Sequence, residues 1–178
     1  DLGTKDGGSK ADVIDARAGT KTFDARTDVQ ALSFSDNGDA RGQVVFAGYG
    51  IVVPETQSFG YDSYATLDVK DKIVLVLRYF PEDADVQTKG ILARYADLRY
   101  KAMAARQRGA KAILIVTGPH SPNAGETIPM SFDTALAGSG IVAASVSGAV
   151  ANAMFAALGD PAKTLDAAQK ALDDANPH

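Results

Sequence analysis

Cysteine is absent from the 178 residues, which excludes a disulfide scaffold and a cysteine nucleophile while remaining compatible with either the cytoplasm or the periplasm. Histidine is nearly as scarce, with only His120 and the last residue, His178. A zinc site takes three or four protein ligands built around histidine or cysteine. One internal imidazole cannot supply it, so neither a metal site nor a catalytic residue is expected in this chain. A G-x-S-x-G turn is missing, and no serine has a histidine and a carboxylate in a recognisable arrangement. Excess basic charge is lacking too: 18 Lys and Arg against 22 Asp and Glu leave a net charge of −4. With a pI near 5.1 there is no field to hold a phosphate backbone, so nucleic acid is not an expected partner. No apolar stretch approaches the roughly 20 residues that span a bilayer. The chain opens at Asp1 without a signal sequence, as expected of a mature protein or an excised domain.

What is present is a strand, a helix and a strand in fewer than about fifty residues. Ile73-Val74-Leu75-Val76-Leu77 is a continuous apolar run rich in β-branched residues, which predicts a central strand covered on both faces within residues 72–80. Residues 91–108 switch period: Ile91, Tyr95, Leu98, Ala102 and Ala105 recur at helical spacing, and Arg94, Asp97, Arg99, Arg106 and Arg108 are left mostly for solvent. Gly109 ends this helix, because it accepts the left-handed conformation just after two arginines that suit the negative end of the dipole. A second buried strand follows at residues 112–116. The three elements make a βαβ unit. At 46% hydrophobic residues a chain of this length buries about 70% of its unfolded surface in one core, so a single domain over residues 11–178 is expected.

The flanks are simpler. Residues 1–10 are polar and glycine-rich and are expected to be flexible. Residues 11–16, 20–25 and 29–34 are expected as short strands. Asn37-Gly38 marks a turn before a strand at 43–47, which completes a mostly antiparallel element. Residues 118–140 hold three of the seven prolines and no apolar period, and are expected as one long loop. Ser147 is expected to cap a helix with Val150, Met154 and Leu158 on one face and Gly159 as its stop. Asp160-Pro161 is expected to open a last helix over residues 161–175.

The words VVFAGYGI, YDSYATLDVKDKIVLVL and KAMAARQRGAKAILIV resemble the protease-associated (PA) domain, most closely the version inserted into secreted bacterial zinc aminopeptidases of the glutamate-carboxypeptidase-like family. The likeness is good over residues 43–116 and weaker over 141–158, so the domain's core is expected at 43–158. One letter departs: such sequences usually place V-K-G-K before the central strand, and here the glycine is Asp71. Aspartate is among the few residues tolerated at positive φ, so the turn survives. The resemblance implies an α/β (α+β) fold, a mixed and largely closed sheet or barrel flanked by a few helices. It also implies a non-catalytic role: covering or bordering the active site of a zinc-dependent aminopeptidase and mediating substrate or protein interaction. Zinc is then expected in the parent catalytic domain and no cofactor in this chain. The partners are the peptidase domain of the same polypeptide and a peptide or protein substrate, in a periplasmic or secreted setting. The alternative is a stand-alone peptide-binding or sorting module without an attached peptidase.

The candidate interaction surface lies at the end of the strands. Tyr79, Phe80 and Pro81 leave the first parallel strand, and His120 and Pro122 leave the second at the same edge, where open α/β sheets gather loops and ligands. Phe80 either tucks under the next helix or opens a groove. Two further patterns carry little. Gly138-Ser139-Gly140-Ile141-Val142-Ala143 has the letters of a dinucleotide fingerprint, but a loop precedes it and a strand follows, where the fingerprint needs a strand before and a helix within. The acid pairs Asp83 with Asp85 and Asp36 with Asp39 lie in turn-like segments where solvated charge is ordinary, and their spacing does not fit an EF-hand loop.

Overall fold

A computed structural model describes residues 8–15, 17–24, 27–55, 59–130 and 138–174 of the protein. Its centre is a five-stranded sheet in the order β3-β9-β8-β7-β4. β7 (Ile73–Leu77), β8 (Ala112–Val116) and β9 (Val142–Val146) run parallel, with β4 (Val44–Phe46) parallel on one edge and β3 (Val29–Ala31) antiparallel on the other. Two small antiparallel ladders stand apart from it. One is the hairpin of β1 (Ala11–Asp15) and β2 (Gly19–Phe23), and the other pairs β5 (Val52–Val53) with β6 (Tyr61–Asp62). The expected mixed sheet is therefore present, but its closure is not. Among the described residues no pairing joins β3 to β4, and each is only three residues long, too short to carry a ladder round to the other edge. The strand expected at 29–34 stops early because Ser35 N–H turns back onto Leu32 O, after which Asp36 N–H reaches Ile141 O.

Alternation along β7 divides the interior into two layers. Leu75 and Leu77 belong to a cluster with Tyr49, Ile51, Val53, Leu92, Val146, Val150 and Phe155. Val74 and Val76 belong to a second, with Phe34, Tyr64, Ala102, Ala105, Ile113, Ile115 and Ala143. This division explains a departure from the sequence reading. In place of one helix over 91–108 there are two, α1 (Val86–Tyr95) and α2 (Leu98–Gln107). Asp97 makes the break: it leaves helical geometry at φ −54 and ψ 137, and its carboxylate accepts from Arg99 N–H to cap α2. The interruption lets Leu92 of α1 pack in the first layer and Ala102 and Ala105 of α2 in the second.

The turns follow their residues. Asp71 has φ 59, so the aspartate standing for glycine does take the left-handed conformation, and Gly109 after α2 has φ 83. α3 (Gly148–Ala156) starts after Ser147, but that side chain does not cap it; Ser147 Oγ instead donates to Asp28 Oδ1 at 2.7 Å and ties the start of α3 to the approach of β3. The last helix, α4 (Leu165–Asp174), begins four residues later than expected. Lys163 N–H closes a turn onto Asp160 O, and the α4 cap falls to Thr164, whose hydroxyl accepts from Ala167 N–H. Residues 1–7, 131–137 and 175–178, on which part of the flexible tail, of the long loop and of the final helix were expected, lie outside the described residues.

Candidate functional site at the strand edge

β7 and β8 end in register, Leu77 opposite Val116, and Arg78 N–H donates to Val116 O at 2.8 Å. Both chains therefore emerge at one edge, as the sequence predicts. Arg78, Tyr79 and Phe80 are half-buried and Pro81 is buried. Tyr79 adopts φ 69, an uncommon conformation for a bulky side chain, and its ring lies 4.6 Å from the Arg78 guanidinium. Phe80 packs against the first apolar layer, which decides in favour of packing for much of its surface.

The group that holds this exit was not anticipated. Lys101 of α2 is fully buried, and its Nζ donates to Leu77 O and Tyr79 O, each at 2.6 Å, under the ring of Tyr49 at 5.7 Å. Burial pushes the amine well below its ordinary range, and the positive charge of Arg78 adds to the shift. The two carbonyls and the ring face favour the protonated form and oppose that shift. The signal in the sequence was a lysine inside the apolar stripe Leu98, Ala102 and Ala105, a position where a long cationic side chain must find acceptors indoors.

The second exit is held from elsewhere. His120 and Pro122 are exposed, yet His120 Nε2 lies 2.9 Å from Asp166 of α4 and its backbone N–H donates to Gln169 Oε1 at 3.0 Å. Gln169 is fully buried; its Nε2 donates to Ser121 Oγ at 2.9 Å and to the Tyr49 hydroxyl at 3.3 Å. Tyr49 in turn donates its own proton to the buried Asp173. Burial and that carboxylate raise the Tyr49 hydroxyl above its ordinary range. Gly118 completes the seat, since a Cβ there would collide with Gln169 Oε1. The edge is thus a built polar network, and α4 occupies half of it.

The one described imidazole is engaged by α4, and among the described residues no three His, Cys, Asp or Glu side chains converge. One member of each acid pair is engaged in structure: Asp85 caps α1 through Thr88 N–H, which lowers its carboxyl pKa, and Asp36 accepts from Gly140 N–H at 3.2 Å across 104 residues. Gly138-Ser139-Gly140 leads into β9 and opens no helix. Among the described residues, no helix is long and apolar enough to cross a membrane.

No curated protein matches the chain. Among solved structures, the aminopeptidase from Aneurinibacillus sp. strain AM-1 is similar at 17% identity and a TM-score of 0.44. The match covers 85% of this chain and 30% of that one, so the chain spans under a third of that enzyme's length. A family model of the PA domain matches residues 22–154, from the β1–β2 hairpin into α3 and including all five strands of the main sheet. The chain belongs to the PA domain family.

Proposed function

We propose that this chain is the non-catalytic PA domain of a larger, zinc-dependent aminopeptidase, secreted or periplasmic, in which it borders or covers the active-site cleft and meets the peptide or protein substrate. Family membership supports the reading, and one observation carries it: the only internal imidazole is spent on structure, its Nε2 at Asp166 and its backbone N–H at Gln169. The zinc ions belong to the catalytic domain, and no step of hydrolysis passes through these residues. This chain contributes a shaped edge, from which the half-buried Tyr79 ring is offered to the cleft.

The test is made on the parent enzyme. Tyr79→Ala is expected to change relative kcat/KM across substrates of two to ten residues by about threefold or more, roughly 0.7 kcal/mol, with zinc content unchanged. An unaltered length preference removes the edge from substrate contact. A gene in which no H-x-D zinc motif accompanies the chain favours the stand-alone binding module.

A further inference from the structure

Of the asparagines Asn37, Asn123, Asn152 and Asn176, only Asn37 precedes a glycine. Asn37 and Gly38 lie between β3 and β4, in a span with no regular element, and both are exposed. Neither the Asn37 carboxamide nor the Gly38 N–H meets a partner among the described residues. The chain on either side is held. Ser35 Oγ accepts from Ala143 N–H at 2.9 Å, Asp36 N–H donates to Ile141 O at 3.0 Å, and Asp36 Oδ1 accepts from Gly140 N–H at 3.2 Å. Beyond the span, Arg41 O accepts from Lys111 Nζ at 2.9 Å. Residues 37–40 are thus a free span between two fixed ends. The other described asparagines differ: Asn123 is followed by Ala124, whose Cβ crowds the backbone nitrogen, and its carbonyl accepts from Glu126 N–H at 3.0 Å. Asn152 lies inside α3, where the next N–H is committed to the helix ladder.

We propose that Asn37-Gly38 is a site of spontaneous deamidation, and that isoaspartate formed there loosens the tie between Asp36 and the approach to β9. The Gly38 nitrogen, once its proton passes to solvent base, attacks Cγ of Asn37. A new N–C bond closes a five-membered imide while the Cγ–Nδ2 bond breaks and ammonia leaves. Glycine suits the step because no Cβ obstructs the nitrogen and the backbone turns freely. Water then opens one of the two imide carbonyls, giving aspartate or isoaspartate, and nothing is oxidised or reduced. In isoaspartate the main chain runs through Cβ and Cγ, so one extra carbon enters it directly after Asp36. There is little room to absorb it, since a Cβ on Gly38 would already stand 3.3 Å from Val142 Cγ2. Either product also adds a negative charge between Asp36 and Asp39, in a chain already at −4.

The test needs no variant. The full chain is incubated at weakly alkaline pH in heavy-oxygen water, native and in denaturing urea, and each asparagine is followed by peptide mass spectrometry. In the native chain Asn37 is expected to convert at least tenfold faster than Asn123 or Asn152, with a solvent oxygen in the product. Its native rate is expected to fall within threefold of its rate in urea, because the fold leaves the Gly38 N–H free. Protection of Asn37 by tenfold or more in the native chain overturns the site, as does conversion no faster than that of Asn152. The converted protein is then separated by its added charge on an anion exchanger. Hydrogen exchange at residues 139–141 is expected to be faster in it, with β7 and β8 unchanged. Exchange identical to that of the unconverted chain overturns the loosening.

Discussion

Residues 78–81 and 118–122 leave neighbouring strands at the same edge, and they are fastened in unlike ways. The first exit is held by a buried lysine amine donating to two backbone carbonyls, supplied by α2 within the crossover itself. The second is held by a carboxamide and a carboxylate brought from α4, far along the chain. The first fastening cannot be released without opening the core, because Lys101 is fully enclosed. The second is a seat filled by α4. The edge therefore has a permanent half, enclosed in the core, and a half held by α4.

Lys101→Ala attacks the permanent half and carries the largest expected effect. It leaves a cavity and strips two carbonyls of their donor, so the loss in denaturant melts should be about 3–5 kcal/mol. Lys101→Met keeps the volume and removes a buried charge, and should cost less than half as much. The depressed pKa adds a pH signature. Between the folded-state pKa and the unfolded value near 10.5 the unfolded chain binds the extra proton, so this group makes stability rise with pH across that window and contributes nothing further above it. Tyr49, Tyr61 and Tyr64 are all raised by burial and act in the opposite sense above about pH 10, where the unfolded phenols ionise first. The rise should vanish in Lys101→Met, and its persistence there would place it on another group.

Gly118→Ala addresses the other half. The methyl displaces the Gln169 amide, and we expect a loss of about 2 kcal/mol confined to α4. Hydrogen exchange should show α4 deprotected and β8 unchanged; a uniform loss would erase the distinction between the halves. Tyr49→Phe is milder, about 1–2 kcal/mol, because it leaves Asp173 and one Gln169 N–H each short of a partner while keeping the packed ring. His120→Ala is the smallest, below about 1 kcal/mol in thermal or denaturant melts, since the imidazole pair with Asp166 is exposed and the backbone N–H that serves Gln169 remains. A larger loss there would mean that the imidazole itself is the fastening.

Periodicity and turn chemistry carried most of the fold. The bounds of β8, the left-handed Gly109 and the tolerance of Asp71 were legible because each depends on residues adjacent in sequence. The open sheet was not, since closure depends on which short strands meet. Nor was the division of the crossover into α1 and α2, because an isolated Asp97 looks like one more exposed charge until Arg99 N–H is seen on it. That both strands leave at one edge was legible from the βαβ pattern. Gln169, Asp173 and Lys101 were missed because each is a polar side chain whose partners sit on other elements, 22 and 24 residues away for Lys101 and farther for the two on α4. For Gln169 and Tyr49 the separation is 120 residues.

The break between α1 and α2 also bears on how the molecule comes apart. One connection, running from β7 to β8, contributes Leu92 to one apolar layer and Ala102 and Ala105 to the other. A crossover shared in this way acts as a belt, tightened on both sides of the sheet by the same chain. Peeling either layer slackens the belt and unsettles the opposite one. The layers should then melt as one cooperative unit, with calorimetric and van't Hoff enthalpies in agreement.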